Sequence, residues 1–217
     1  GYPKRLLLEK YARLGFAFAP SDVLTSREVL LAALGPRPTP KFGLMASKKF
    51  GREELEHLKA DFLADNGDLY DTVDAFLLIG SAEWTDERQA LLEASLRTNP
   101  RPVLVGNPDI VAPRAVGLSR EPGHYAHRLA DATGVAPVFF GKPFGNIFDM
   151  VRARLSHTVA PDRIVMVGDT LQTDILGGRV AGIKTSLVTD FGALKGLDAS
   201  AAIKQSGIVP DFIMGGP

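Results

Sequence analysis

The chain has 217 residues, with 25 Lys and Arg against 25 Asp and Glu and a pI near 7.1. That balance supplies no net field to gather a nucleic acid or coat an anionic membrane, and the absence of cysteine excludes thiolate metal sites, a cysteine nucleophile and disulfides. No apolar run approaches the ~20 residues of a membrane-spanning helix. The sequence therefore reads as soluble and suited to a reducing cytoplasm, and the segment after Gly1 resembles neither a signal nor a transit peptide.

Leu7, Tyr11 and Leu14 share one face of a basic amphipathic segment that Gly15 terminates, so a helix is expected there. A short strand, Phe16 to Phe18, should follow. Ser26 to Leu34 reads as a second helix capped by Ser26. The stretch from Gly35 to Lys41 holds three prolines, which excludes a helix or a central strand and suggests a domain boundary. An α/β alternation begins beyond it, with FGLMAS as strand, GREELEHLKADFLADNG as helix and VDAFLLIG as strand. A helix started by Thr85 and ended by Asn99-Pro100 comes next, then the strand RPVLVGNPD. Such βαβ units favour a parallel sheet. Ile110 to Gly123 is irregular and reads as the return boundary. The remainder alternates again: helix near HYAHRLADATG, strand PVFFGKP, helix NIFDMVRARLSHT, strand RIVMVGD, helix TDILGGRVAG, strand TSLVTDFG, a last helix and the strand DFIMGG. The expected organisation is an α/β fold in which a Rossmann-like parallel-sheet core, residues 1–37 and 121–217, carries an inserted α/β cap, residues 38–120.

Chemistry is expected at strand ends, because open α/β sheets bind ligands at the carboxyl ends of their strands. Three features stand there: Gly168-Asp169 with Thr173-Asp174 after RIVMV, Lys142 in GKP after VFF, and Asn107 to Asp109 after PVLVG. A lysine and two carboxylates at one sheet edge suit an anion held through a divalent cation. Mg²⁺ takes one or two protein carboxylates together with phosphate oxygens and water, and a lysine offsets phosphate charge as a compact cation. Alone, each feature could equally be a helix cap or a solvated turn; together they point to a site.

These residues resemble the haloacid dehalogenase superfamily. VMVGDTLQTDILGGRVAGIKTSLV is similar to its fourth motif, and VFFGKPFGNIFDMV to its third, in the form used by NagD-like (p-nitrophenyl-phosphatase-like) phosphatases. NPD before a proline-rich return and DVLTSREVLLAAL before the insert also fit that branch. The resemblance implies a Mg²⁺-dependent phosphatase acting on a small phosphorylated metabolite, with no nucleic acid or membrane partner. Caps in this branch serve as interfaces, so it also implies that copies can associate as a homo-oligomer. It assigns Asp169 to Mg²⁺, Asp174 to anchoring the loop and the lysine, Lys142 to the phosphoryl group, and Asn107 and Asp109 to the substrate side of the cap.

The family's first motif, Asp-x-Asp-Gly at a strand end, has no counterpart here; Asp71 and Asp74 precede a strand, and no Ser or Thr supplies the second motif. Gly1 falls about where that second motif would have ended, so the nucleophilic aspartate is expected upstream of residue 1. The alternative is a binding or scaffolding protein that kept the fold without the nucleophile. His124 and His127 stand at i and i+3 without a third ligand and suit a surface or core edge. Lys48 and Lys49 read as a solvated edge, Trp84, Phe139, Phe140 and Phe144 as core or hinge, and Gly177-Gly178 matches no phosphate-cradling loop.

Overall fold

A computed structural model describes residues 2–35, 40–114, 116–155 and 159–216. The chain divides into two compact units, Gly1–Ala112 with Ser119–Gly141, and Pro113–Leu118 with Lys142–Pro217. The proline-rich boundary at Pro36 to Thr39 and the SHT that ends the sixth expected helix lie outside the described residues.

The first unit is built on five parallel strands in the order β2-β1-β3-β4-β7: β1 (Phe42–Met45), β2 (Ala60–Phe62), β3 (Ala75–Leu78), β4 (Val103–Val105) and β7 (Val138–Phe139). Every residue of β1 and β3 is buried, as expected of central strands covered on both faces. On one face, Met45, Phe76, Leu78, Val103 and Val105 pack with Leu92 and Leu96 of α4 (Asp86–Thr98) and with Ala126 and Leu129 of α5 (Pro122–Thr133). The alternation of strand side chains sends Phe42, Leu44, Leu77 and Ile79 to the other face, where Leu30 of α2 (Ser26–Leu34) comes up beside Ile79 at Gly106. Helix α1 (Lys4–Arg13) buries no residue. Between β2 and β3 runs the single turn α3 (Asp68–Asp71). A separate two-stranded ribbon pairs β5 (Val111–Pro113) with β6 (Leu118–Arg120).

The α/β class and the parallel sheet agree with the sequence reading, and four local expectations change. The helix expected over residues 51–67 is absent; in its place are turns and the edge strand β2. Arg27, 1% exposed, donates to the carbonyls of Phe50 (3.4 Å) and Glu53 (2.7 Å) and so takes up groups a helix would need. Glu54 adopts a left-handed φ of 69°, which also stops helical propagation. Phe16 to Phe18 forms no ladder among the described residues; the Phe16 and Phe18 rings stack at 5.8 Å and Tyr11 meets Phe18 edge-on at 5.4 Å. Thr25, one residue before Ser26, caps α2 by accepting from the Glu28 amide at 3.1 Å, and Thr85 caps α4 as expected. Finally, α5 and β7, expected in the second part of the core, belong to the first unit, because β7 pairs with β4 and Leu129 packs on that sheet.

Two buried groups tie this unit together. Arg101 donates to the carbonyls of Tyr70 (2.8 Å), Val73 (2.9 Å) and Asn99 (3.0 Å) and lies 4.9 Å over the Phe76 ring. The Tyr70 hydroxyl donates to the Ala64 carbonyl at 2.9 Å.

The second unit carries three parallel strands in the order β10-β9-β8: β8 (Val165–Gly168), β9 (Lys184–Val188) and β10 (Phe212–Met214). Leu171, Ile175, Leu187 and Leu194 form its core, with Ala199, Ala202 and Ile203 of α8 (Ala199–Ser206) against them. Helix α6 (Gly145–Arg154) precedes β8 and the short α7 (Leu176–Val180) follows it. At the amino end of the sheet, Asp211 accepts from the Thr185 amide (2.9 Å) and hydroxyl (3.0 Å) and from Lys184 (3.2 Å). The Lys184 ammonium, with the Thr185 amide, holds the Asp211 carboxyl below the usual carboxylate range.

Burial pushes the Tyr70 phenol up from about 10 to about 12. The group is thus favoured neutral in the folded state, so its contribution to stability is complete below pH 10 and fades as pH rises toward 12. Urea unfolding across that window should show wild-type stability falling more steeply than that of Tyr70→Phe, which loses about 1 kcal/mol at neutral pH. Parallel pH profiles would contradict the burial of the phenol.

Candidate active site

Strand β8 ends at Gly168, and the chain then turns through Asp169 and Thr170 into residues 171–175. That turn is wider than an α-helical one: the amide of Ile175 donates to the carbonyl of Thr170 at 3.2 Å, an i→i+5 bond, before α7 continues normally. Wide turns of this kind are uncommon and often occur at functional sites. Leu171 and Ile175 send their side chains into the core cluster, which fixes the rotation of the turn. Asp174, between them, is 3% exposed and points back toward the strand end.

The Asp174 carboxylate is well answered. Its Oδ2 accepts from the Thr170 amide at 3.2 Å, and its Oδ1 is in contact with the Lys142 ammonium. The approach to the strand is so close that a Cβ on Gly168 would lie 2.2 Å from Asp174 Cγ. Glycine is required at 168 for space, and the Gly-Asp of the motif has that physical meaning here. The Lys142 side chain keeps 40% of its surface exposed, so the ammonium can serve the buried carboxylate and face outward as well.

Asp169 is oriented separately. Its Oδ2 accepts from the Ala193 amide at 2.7 Å, in the turn Gly192–Leu194 that follows β9. Among the described residues its Oδ1 accepts no hydrogen bond. This turn, 24 positions from Asp169, has no sequence signal beyond a glycine after a strand.

Within the second unit Lys142 meets Asp174 against Gly168 at the end of β8, one residue before Asp169. The route of the lysine differs from expectation. Its preceding strand β7 belongs to the five-stranded sheet, and Lys142 itself lies in the second unit, in the segment that leads into α6. Asn107 and Asp109 follow β4 in the first unit. Asn107 Nδ2 donates to Glu121 at 3.2 Å and its Oδ1 accepts from the Asp109 amide at 3.3 Å, so its side chain braces the loop that leads to α5. His124 and His127 sit against aromatic rings, Tyr125 and Phe139 respectively. Among the described residues no three or more His, Asp or Glu side chains gather into a metal cage. The donor set here is one outward carboxylate, Asp169, which suits Mg²⁺ only where phosphate, water and further ligands complete its shell.

A family model of HAD-hydrolase-like proteins matches residues 139–213. Over 213 residues, 94% of this chain, the sequence is 30% identical to chronophin of Rattus norvegicus, of which it covers 67%. The chain belongs to the haloacid dehalogenase-like (HAD) family. It is also 33% identical over 138 residues to the 5'-nucleotidase YutF of Bacillus subtilis, covering 63% of this chain and 50% of YutF. Among solved structures, a possible sugar phosphatase of the HAD superfamily from Cytophaga hutchinsonii superimposes with a TM-score of 0.81 at 25% identity, over 99% of this chain and 78% of that one. A p-nitrophenyl phosphatase from Archaeoglobus fulgidus shares the fold at 20% identity, with a TM-score of 0.79 over 99% of this chain and 79% of the other. The NagD-like branch read from the HAD motifs agrees with these neighbours. This chain spans from about a quarter to two thirds of the length of the curated HAD relatives it matches.

Gly168→Ala should lower stability by about 1–3 kcal/mol through overlap with Asp174. Urea unfolding of wild type and variant checks this, and equal midpoints would mean that Asp174 does not pack on the end of β8.

Proposed function

We propose that this chain belongs to a Mg²⁺-dependent phosphatase that hydrolyses a small phosphorylated metabolite in the cytoplasm. The nucleophile in this reading is an aspartate encoded upstream of residue 1, which takes the phosphoryl group as an aspartyl-phosphate before water releases it. The observation that carries the proposal is the juxtaposition of Lys142, Asp174 and Asp169 at the carboxyl end of β8. Phosphatase names among the relatives support it.

Each side chain has a role suited to its surroundings. Lys142, partly exposed, holds a non-bridging oxygen of the phosphoryl group and reduces its repulsion from a carboxylate nucleophile. Asp174 keeps the ammonium in place, and through the Thr170 amide it also fixes the loop that presents Asp169. Asp169 offers an oxygen to the metal. Mg²⁺, when bound, offsets charge on the transferring phosphoryl group. Asn107 and Asp109 are proposed to border the substrate; the hydrogen bonds of Asn107 to Glu121 and to the Asp109 amide would hold that loop in shape. The cap in this proposal is residues 38–120, and caps of this kind can also join copies into a homo-oligomer.

Asp169→Asn in the full-length polypeptide should lower phosphate release from p-nitrophenyl phosphate or a sugar phosphate by about a hundredfold or more. Lys142→Met should do likewise. Retention of near-normal turnover by Asp169→Asn would overturn the assignment, as would a full-length wild type that releases no phosphate from any small monoester.

A further inference from the structure

We propose that the turn Gly192–Leu194 is a positioning device for Asp169: its Ala193 amide fixes one carboxylate oxygen and leaves the other free for the cation. This inference rests on the reading of Asp169 as the Mg²⁺ ligand.

The terminal torsion of an aspartate is soft, so a carboxylate on a strand end can rotate freely unless something holds it. Here the Ala193 N–H donates to Asp169 Oδ2 at 2.7 Å, within the short range of hydrogen bonds to ionised groups. Oδ1 accepts nothing among the described residues, so the two oxygens are unequal before any ligand arrives.

Position 192 allows this arrangement and few residues could replace it. Gly192 has φ of 74°, in the left-handed region, and a Cβ there would lie 1.7 Å from Asp169 Oδ2. Both the backbone conformation and the space therefore demand glycine. The turn is held down in turn by Leu194, which is buried in the cluster with Leu171, Ile175 and Leu187. Those same Leu171 and Ile175 side chains orient the wide turn that carries Asp174. One small apolar cluster thus sets the direction of both carboxylates.

Hydrogen bonds to metal-ligating groups typically change metal affinity 10–100-fold when removed. Ala193→Pro deletes the donor, and proline suits the φ of a 3₁₀ turn; residue 193 is exposed, which leaves room for the ring. The test is Mn²⁺ binding by the full-length protein, read from the EPR signal of free Mn²⁺ well below the melting temperature. Wild type, Ala193→Pro, Gly192→Ala and Asp169→Asn are compared, with a thermal melt of each. The expected result is about tenfold weaker Mn²⁺ binding by Ala193→Pro and by Gly192→Ala, and none by Asp169→Asn. If Ala193→Pro melts too low to be tested, Gly192→Ala, which keeps the amide but intrudes on the carboxylate, decides the question. Wild-type Mn²⁺ affinity in a folded Ala193→Pro or Gly192→Ala variant, with binding lost in Asp169→Asn, would overturn the positioning role alone. Failure of wild type to bind Mn²⁺, or unchanged binding by Asp169→Asn, would overturn the metal assignment and the inference with it.

Discussion

Asp174 brings a carboxylate into a place where only 3% of the residue meets solvent, and such a placement is costly unless the charge is answered. It is answered twice, by the Lys142 ammonium and by the Thr170 amide. Much of the second unit can be understood as what those two contacts demand. The turn must be wide enough to swing Asp174 back to the strand, Gly168 must lack a side chain, and Leu171 and Ile175 must anchor the turn from beneath. Removing Lys142 would leave the carboxylate with one neutral donor in a poorly hydrated position. The ion pair is therefore both a structural element and the reason an ammonium stands at the carboxyl end of β8.

The two units solve different problems with the same parallel-strand chemistry. In the five-stranded sheet, the central strands are buried on both faces and the polar work falls to a few side chains such as Arg101 and Arg27, which gather carbonyls that the strands and turns leave over. In the three-stranded sheet the strands are partly exposed, and the polar groups collect at the two ends: Asp211 with Thr185 and Lys184 at the amino end, Asp169 and Asp174 at the carboxyl end. The first arrangement stabilises an interior; the second gathers charged groups at the two ends of the strands.

Much of this is legible in the residues alone. Gly168-Asp169 after a β-branched run reads as a strand end whatever the tertiary context, and Lys142, Asp169 and Asp174 can be grouped because their spacing matches known motifs. The edge strand β2 is hidden because Leu55 and Leu58 mimic helical spacing, while the alternation Leu58, Ala60, Phe62 that marks the strand covers only a few residues. What decides against the helix is a distant guanidinium, Arg27, and no local pattern encodes that. The hold of Ala193 on Asp169 is likewise a backbone contact between segments far apart in sequence, and backbone donors have no residue signature. The expected division of the chain differs from the observed units for a related reason: helix α5 reads the same whether it covers one sheet or another, and only the pairing of β7 with β4 assigns it.

The all-parallel order of the larger sheet also bears on how the protein reaches its native state. Neighbouring strands in it are never joined by a tight hairpin; Phe42 of β1 must find Ala75 of β3, 33 positions along the chain, while β2 passes to the opposite side. Each pairing requires closure of a long loop before any ladder forms, so local contacts cannot nucleate the sheet. The sheet should therefore assemble late and cooperatively, with its central hydrophobic strands exposed until then. Nascent chains that have emerged only as far as β3 would hold two fully apolar strands without the α4 and α5 helices that cover them, which makes that stretch the natural client of a chaperone.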